Sequence, residues 1–338
     1  MSVRPSIALI VPTYNMKEHL ASLWSSLQNA GLLDILAEII FVDDGSTDGT
    51  TRALTALTGN QGNARVLTLP KNEGRFRARQ IGAASARSER LLFIDSRVTL
   101  PEGFAVALLA VNQTVTNVVG CIDIDTALNV YCLYWQRTHE FIFWRHYRDT
   151  KTPLVLTAEN YDRYLKGTTI FLCSRELFLQ NCSSFGDSPP LNDDAPLMRS
   201  MAKDQPLVVH PSLRANWVPR GTLVGFLQRL WERGPQFVEY HLMKQKGFFF
   251  WIVVAGIMML AGLGSVCIVV PRQGLAVFAG TVAIIALSTA LFSRTLYEFV
   301  RMAPLHVAVV CICGLSVLRG ILYHSLHLKR RPSVNQTE

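Results

Sequence analysis

The ten residues FVDDGSTDGT, at positions 41–50, join an apolar run to a turn rich in glycine, serine and threonine. The run AEIIFVDD is typical of a buried strand, yet it ends in the adjacent carboxylates of Asp43 and Asp44. Two neighbouring carboxylates do not stabilise the end of a strand. Either the turn needs polar residues for its own geometry, or a ligand binds there.

Strands and helices alternate on both sides of this turn. Apolar runs bounded by turn residues predict the strands, and apolar residues at three-and-four spacing predict the helices. These elements cover, in turn, residues 6–14, 17–30, 37–44, 48–58, 64–70, 75–86 and 90–96. Because the strands are almost continuously apolar, the sequence predicts an α/β fold whose parallel sheet is covered by helices on both faces.

Polar residues follow three of the predicted strands where each strand ends. They are residues 12–15 after the first strand, Asp43 and Asp44 after the second, and Asp95 and Ser96 after the fourth. Ligands of such sheets bind outside the carboxyl ends of the strands. Carboxylates there can accept hydrogen bonds from a ribose or a base, and can hold a cation that neutralises a diphosphate. The sequence has neither GxGxxG nor GxxxxGK[ST] after its first strand, which argues against a dinucleotide fold and a P-loop.

Several motifs follow one another in an order that resembles a known family. IALIVPTYN, IIFVDDGSTDGT, GRFRARQIGAA and LLFIDS, followed by NDDAPLMRS and FLQRLWERG, resemble the family 2 glycosyltransferases of the GT-A fold. The resemblance implies a GT-A-type nucleotide-binding sheet covered by helices. It also implies transfer of a sugar from a nucleotide-diphosphate donor to a lipid-linked or polysaccharide acceptor.

The resemblance assigns roles to residues that follow the first strands. Pro12 and Tyr14 would shape the pocket for the nucleotide base, and Asp44, with Asp43 beside it, would bind the base or the ribose. For Arg79, on the third predicted helix, two interpretations stay open: a contact to the donor phosphate, or a place on a solvated helix face.

The metal motif departs from the family pattern. Asp95 occupies its first position, but Arg97 stands where the family has a second acid. Because a guanidinium cannot ligate a divalent cation, dependence on Mg²⁺ or Mn²⁺ is doubtful. His210 could supply a compensating ligand, and Arg97 could itself neutralise phosphate.

Two later segments carry the remaining site residues that the resemblance implies. Asp194, with Asp193 beside it, would be the catalytic base that takes the acceptor proton in an inverting displacement. The local sequence alone equally fits acidic residues at the start of a helix. Arg229, Trp231 and Arg233 would lie near the diphosphate or the acceptor at the membrane face.

The C-terminal third of the chain is apolar enough to predict membrane spans. The runs 248–270 and 274–292 carry no charge and are long enough to cross a bilayer. A third run, 304–323, is a weaker candidate because it contains His306 and Arg319. We therefore expect a C-terminal bundle of two or three transmembrane helices.

The charge distribution fits a membrane protein with a cytoplasmic catalytic domain. The 338 residues carry a net charge of +8, and basic residues cluster before the first predicted span and in the tail. An anionic membrane surface explains this pattern more simply than nucleic acid does. We predict a cytoplasmic GT-A-like domain over 1–247, transmembrane helices over 248–328 and a basic tail over 329–338, in a multi-pass protein of the inner membrane.

Two other functions compete with sugar transfer. A GT-A-fold membrane scaffold that binds nucleotide sugar without turnover is favoured only by Arg97. A nucleotidyltransferase would need a glycine-rich phosphate loop after the first strand, and PTYNMKE is not such a loop.

Overall fold

The computed structural model describes residues 6–165, 167–186, 194–244, 247, 249–254, 256 and 274–328. Asp193, most of the predicted span 248–270 and the basic tail 329–338 lie outside the described residues. The chain divides into two compact units, which are described separately. The sheet unit comprises Met1–Leu128 and Ile142–Pro219, and the helical unit comprises Asn129–Phe141 and Arg220–Glu338.

The elements of the sheet unit follow the predicted alternation closely. They are, in chain order, β1 (Ile7–Thr13), α1 (Lys17–Asn29), β2 (Glu38–Asp43), α2 (Thr50–Thr58), β3 (Ala64–Thr68), α3 (Arg75–Ser85), β4 (Arg90–Ile94), β5 (Val98–Thr99), α4 (Phe104–Thr114), β6 (Val118–Asp123), and then, after α5 (Val130–Ile142) of the helical unit, α6 (Trp144–Asp149), β7 (Leu154–Leu156), a 3₁₀ helix (Tyr161–Arg163), β8 (Ile170–Ser174), α7 (Arg175–Ser183), α8 (Ala195–Asp204) and β9 (Leu207–Trp217). The elements predicted up to residue 96 agree with these bounds to within two residues at each end.

The strands of the described residues join in a sheet of order β3-β2-β1-β4-β8-β6-β9-β5, and β7 pairs with β9. The first four strands are parallel, as predicted, and Thr13 of β1 is in register with Asp43 of β2. β8 then enters antiparallel to β4 and β6, so the complete sheet is mixed. The carboxyl ends of β1, β2 and β4 therefore meet at one edge, where the sequence predicts the ligand.

Both faces of this sheet are buried, which is why its strands are apolar throughout. Side chains of β1 alternate between two apolar layers: Leu9 and Val11 pack with α1 and α4, and Ile10 packs with α3, α7 and α8. α3 lies especially close, because a Cβ on Gly82 would be 2.6 Å from Ile10 Cγ2. This contact fixes α3 against the sheet and thereby fixes the side chains that α3 carries.

The helical unit packs around a separate apolar cluster. Besides α5 it contains α9 (Leu223–Phe237), a π-helix (Val238–Lys244), α10 (Gly274–Phe292) and α11 (Leu296–Leu328). Tyr134, Phe226 and Met302 belong to the buried cluster that joins α5, α9 and α11. The aromatic helix α5 is thus part of this unit up to Phe141.

α11 contains the strongest candidate for a membrane span in the described part of the chain. Leu296–Leu326 is long and apolar enough to cross a bilayer by length and composition. The predicted run 304–323 falls inside it, so the segment expected to be weakest is the best supported among the described residues. α10 covers the predicted run 274–292, although its apolar part, Ala279–Phe292, is shorter by the same criterion.

The polar residues that weakened the third prediction are bonded within the helical unit. His306 shares hydrogen bonds with the hydroxyls of Tyr134 at 2.6 Å and Ser288 at 2.9 Å. Arg319 Nη1 donates to the carbonyl of Trp231 at 3.2 Å. That carbonyl lacks its usual helical donor, because Pro235, four residues later, has no N–H. Polar groups in α11 therefore serve contacts between helices.

Candidate functional site

Asp43 closes the turn that follows β2. Its buried carboxylate accepts a hydrogen bond from the backbone N–H of Ser46 at 3.2 Å, and further bonds from the hydroxyls of Ser46 and Thr51. This aspartate therefore serves the geometry of the turn, the first alternative that the sequence leaves open. Its predicted contact with a base or ribose stays a prediction.

Asp44 fixes the beginning of α3. It is 2% exposed, and its Oδ1 and Oδ2 accept the backbone N–H groups of Glu73 at 2.7 Å and Gly74 at 2.9 Å. Burial raises the pKa of the Asp44 carboxyl, although these two amides act in the opposite direction. Gly45 permits the approach, because its φ is +72° and a Cβ there would lie 2.5 Å from the backbone of Lys71. Because Asp44 is buried, any direct contact with a nucleotide requires that the residues covering its carboxylate move.

The loop after β1 is tied to the turn after β2. The backbone N–H of Asn15 donates to Ser46 Oγ at 2.9 Å, and Asn15 Oδ1 accepts from the backbone N–H of Thr47 at 2.9 Å. Pro12 is buried beneath this loop, whereas Tyr14 is 41% exposed. The exposed ring of Tyr14 can stack on a planar base, and its role in the base pocket stays a prediction.

Asp95 and Arg97 lie at the same edge of the sheet, after β4. Asp95 Oδ1 accepts the backbone N–H of Arg97 at 3.0 Å, and the N–H of Asp95 donates to the carbonyl of Thr169 at 3.1 Å. Burial lowers the pKa of His19, and the positive charge of Arg97 lowers it further. The guanidinium of Arg97 therefore lies near the first turn of α1, beside the loop that carries Tyr14.

Asp194 directs its carboxylate into the sheet unit instead of capping its own helix. It occupies the N-cap position of α8, but its side chain makes no cap hydrogen bond. Arg79 Nη1 donates to Asp194 Oδ1 at 2.8 Å, and Thr168 Oγ1 donates to the same oxygen at 2.6 Å. The Asp194 side chain is 28% exposed and that of Arg79 only 3%. This burial excludes the solvated helix face that the sequence allows for Arg79.

A continuous set of contacts joins the three carboxylates that the sequence selects. Asp44 holds the start of α3, and α3 carries Arg79, which holds Asp194. Asp194 in turn accepts from Thr168, and the next residue, Thr169, bonds to the backbone of Asp95. Segments far apart in the chain thus meet in one network at the carboxyl edge of the sheet.

Thr168 is not among the residues that the sequence selects for the site. This threonine is almost fully buried and precedes β8, the strand that enters the sheet antiparallel between β4 and β6. The parallel pattern predicted from the N-terminal residues gives no reason to place β8 there. The dipeptide at 168–169, directly before the apolar run IFLCS, is the only signal in the sequence, and many strand ends share it.

His210 does not join Asp95, contrary to its predicted role as a metal ligand. It lies on β9 opposite Gly120, and β9 is three strand positions from β4, roughly 14 Å at about 4.8 Å per strand. Within the described residues, no group of three His, Cys, Asp or Glu could hold a metal ion. Asp95 therefore belongs to no three-ligand cation site among the described residues.

Arg229, Trp231 and Arg233 belong to α9 of the helical unit. The guanidinium of Arg233 lies 5.1 Å from the ring centre of Trp135, and that of Arg319 lies 4.9 Å from the ring centre of Trp231. These cation–π contacts stabilise the packing of α5, α9 and α11. The proposed proximity of the α9 residues to the diphosphate or acceptor stays a prediction.

Comparison with known proteins defines the class to which this fold and site belong. Residues 8–174 match the model of the glycosyl transferase family 2. The structure is similar to that of a mannosyltransferase from Pyrobaculum calidifontis in complex with GDP-Man and Mn²⁺, with a TM-score of 0.59 at 15% identity over 94% of this chain and 88% of that one. The sheet unit thus has the GT-A fold of a glycosyltransferase, and the chain carries a family 2 glycosyltransferase domain.

Two relatives that match part of the chain have names that describe sugar transferases. The chain is 34% identical over 98 residues to a dolichyl-phosphate beta-glucosyltransferase of Drosophila melanogaster, which covers 27% of this chain and 30% of the relative. It is 29% identical over 119 residues to an undecaprenyl-phosphate 4-deoxy-4-formamido-L-arabinose transferase of Yersinia pestis, covering 34% and 36%. The matched region spans about a third of the length of these relatives.

Proposed function

We propose that the protein is an inverting glycosyltransferase of the membrane. It moves a sugar from a nucleotide-diphosphate donor to a hydroxyl of a lipid-linked or polysaccharide acceptor. The observation that carries this proposal is the Asp194 carboxylate, partly exposed and held by Arg79 and Thr168 at the carboxyl edge of the sheet. The relatives named for transfer to dolichyl and undecaprenyl phosphates support an acceptor with a polyprenyl tail.

Asp194 acts as the general base in this proposal. An acceptor hydroxyl must lose its proton as it attacks the anomeric carbon, and a carboxylate within hydrogen-bond reach can take it. The exposed part of the Asp194 side chain leaves room for such an approach. An acceptor phosphate would need no base, because its second pKa of about 6 leaves it mostly ionised at neutral pH. The effect of Asp194 substitutions therefore distinguishes the two kinds of acceptor.

In this proposal, Arg97 replaces the divalent cation that an acidic residue at its position in the motif would bind. Negative charge develops on the leaving diphosphate, and a nearby guanidinium stabilises it through charge-assisted hydrogen bonds. The location of Arg97 at the edge of the sheet, near His19 and next to Asp95, supports this role. The described side chains provide no competing metal site.

Removal of divalent cations is expected to leave nucleotide binding intact. We expect UDP or GDP, whichever binds, to show a dissociation constant in EDTA within about twofold of that in Mn²⁺, since Arg97 itself supplies the positive charge. The Arg97→Asp variant is expected to bind only when Mn²⁺ is present, and Arg87→Asp, at an exposed position outside the site, is the control. Titration calorimetry measures nucleotide binding by the wild type and by each variant, in EDTA and in Mn²⁺. Loss of wild-type binding in EDTA would contradict the role of Arg97.

We further propose that the helical unit anchors the protein in the inner membrane as a multi-pass bundle, with the sheet unit in the cytoplasm. The apolar length of Leu296–Leu326 supports one span. The uncharged runs 248–270 and 274–292 support the others. The basic residues that precede 248 favour a cytoplasmic location for the N-terminal domain.

The function is tested by a donor and acceptor screen with the full chain in lipid nanodiscs. UDP-sugars and GDP-sugars labelled in the sugar are offered with a membrane lipid extract, and in a separate arm with a polyprenyl phosphate. We expect label from one donor to enter the extracted lipid fraction, with inversion at the anomeric carbon. Nucleotide binding with neither transfer nor donor hydrolysis would instead indicate an inactive scaffold.

A further inference from the structure

We infer that Arg79 is a positioning residue that fixes the orientation of the Asp194 carboxylate, together with Thr168, and is not a ligand of the donor phosphate. The inference rests on the proposed function of Asp194 as the base. It replaces the two interpretations that the sequence leaves open for Arg79 with a third, support of the reacting carboxylate.

Two donors from different elements converge on one oxygen of Asp194. Arg79 Nη1 reaches Oδ1 at 2.8 Å from α3, and Thr168 Oγ1 reaches it at 2.6 Å from the segment before β8. Fixing one oxygen from two directions restricts rotation of the carboxylate, and so sets the direction of Oδ2. A Cβ added at Gly167 would be 3.8 Å from Oδ2, so the chain passes near this oxygen without crowding it.

Arg79 is more buried than an arginine that binds phosphate usually is. Its side chain is 3% exposed, whereas the Asp194 side chain that it bonds is 28% exposed. A phosphate of the donor would have to displace Asp194 to reach Nη1. The carboxylate is thus the accessible member of the pair, and the arginine lies behind it.

The helix that carries the Arg79 guanidinium, α3, is itself held at two places. The start of the helix is held by Asp44 through the N–H of Gly74, at 2.9 Å. One turn beyond Arg79, the close approach of Gly82 to Ile10 holds the helix against β1. A rigid helix with a buried arginine places a charge more accurately than a flexible loop does, and catalysis requires that accuracy of the base.

The matched control lies on the same helix. Arg77 is 48% exposed, with Nη1 bonded to Gln80 at 2.7 Å and Nε 3.5 Å from Glu73. It has the same side chain two residues away, but no described contact to Asp194. Arg77→Gln should therefore leave catalysis unchanged, while Arg79→Gln should not.

The test compares kcat, the donor dissociation constant and the acceptor KM for Arg79→Gln, Arg79→Lys, Thr168→Val and Thr168→Ser. We expect Arg79→Gln to lower kcat by about 10- to 100-fold, because small displacements of a reacting group have effects of that size. The donor dissociation constant should stay within about twofold, since uniform binding is not altered. Thr168→Val should lower kcat less, and the conservative Lys and Ser variants should recover part of the loss.

A double-mutant cycle distinguishes positioning from a general structural role. In an Asp194→Asn background, Arg79→Gln should cause little further loss of kcat, because residues that act as a unit are non-additive. Multiplication of the two losses would overturn the inference, as would a tenfold weaker donor affinity with unchanged kcat. If Arg79→Gln does not fold, Arg79→Lys and Thr168→Val complete the same cycle. An inactive wild-type protein would refute the proposed function itself, whereas an active one that needs Asp194 but not Arg79 would refute only this inference.

Discussion

The Asp194→Asn variant is expected to bind the nucleotide sugar as tightly as the wild type and to transfer the sugar about 10²- to 10⁴-fold more slowly, the usual contribution of a general base. The substitution keeps the shape of the side chain and an oxygen that can accept from Arg79 and Thr168. It removes the charge that takes the acceptor proton. The measurements are steady-state transfer to the lipid acceptor and equilibrium binding of the donor.

Asp204→Asn is the control for this substitution. Asp204 ends the same helix, α8, and its Oδ2 accepts a hydrogen bond from Asn181 at 2.9 Å. It lies about 15 Å along the helix from Asp194, at about 1.5 Å per residue. Transfer by Asp204→Asn should equal that of the wild type. Near-normal transfer to a hydroxyl acceptor by Asp194→Asn would remove Asp194 from the chemistry.

The second large effect is expected from Asp44→Ala, which should weaken binding of the nucleotide sugar by about tenfold or more and lower kcat as well. The substitution removes the carboxylate to which the part-buried N–H groups of Glu73 and Gly74 donate, and hydrogen bonds to a charged group contribute about 1.5–3 kcal/mol each. The start of α3 is released, and Arg79, one turn later, no longer holds Asp194 in place. The loss of these hydrogen bonds thus disturbs both residues 71–74 and the position of the Asp194 base.

Asp48→Ala is the control for Asp44→Ala. Asp48 lies in the same turn, but is exposed, with Oδ1 accepting the backbone N–H of Thr50 at 2.9 Å. Asp48 Oδ2 also accepts the backbone N–H of Lys17 at 3.2 Å, so Asp48→Ala loosens the turn and the start of α1 but not the start of α3. Donor affinity should therefore fall less than in Asp44→Ala. Hydrogen exchange of the α3 amides, compared between the variants, checks the structural cause. Unchanged exchange in Asp44→Ala would show that Asp44 does not hold the helix.

The N-terminal half of the fold could be predicted because its signals are local. Apolar runs such as IALIV and EIIFV are buried on both faces, and this alone specifies strands of a covered parallel sheet. Gly45 and the residues 46–50 mark a turn whose polar groups bond to one another and to the next loop. The question that FVDDG raises has a twofold answer in the structure: Asp43 serves the turn, and Asp44 serves the helix that carries Arg79.

The remainder depends on contacts that no local pattern encodes. The pair of Arg79 and Asp194 joins residues 115 apart in the chain. It forms because β8 inserts next to β4 and brings Thr168 to the same edge. A motif resemblance selects Asp194 as important, but it leaves the role of Arg79 open and cannot show that the side chain is buried.

The apolar sequence of the helical unit likewise does not encode the contacts between its helices. Charge and histidine content make the run 304–323 the weakest predicted span. In the structure His306 and Arg319 are bonded to α5, α9 and α10, so their polarity is satisfied inside the unit. Such pairing is invisible to a hydropathy count, which treats each residue as if it faced lipid.

In the proposed mechanism, Asp194 removes the acceptor proton during sugar transfer while Arg79 and Thr168 hold its carboxylate in the sheet unit. The most direct measurement is the single-turnover rate constant, with enzyme in excess and the nucleotide sugar already bound, for the wild type and Asp194→Asn. We expect equal donor occupancy and a rate constant that is about 10²- to 10⁴-fold lower in the variant. Equal occupancy with an unchanged rate constant would contradict it.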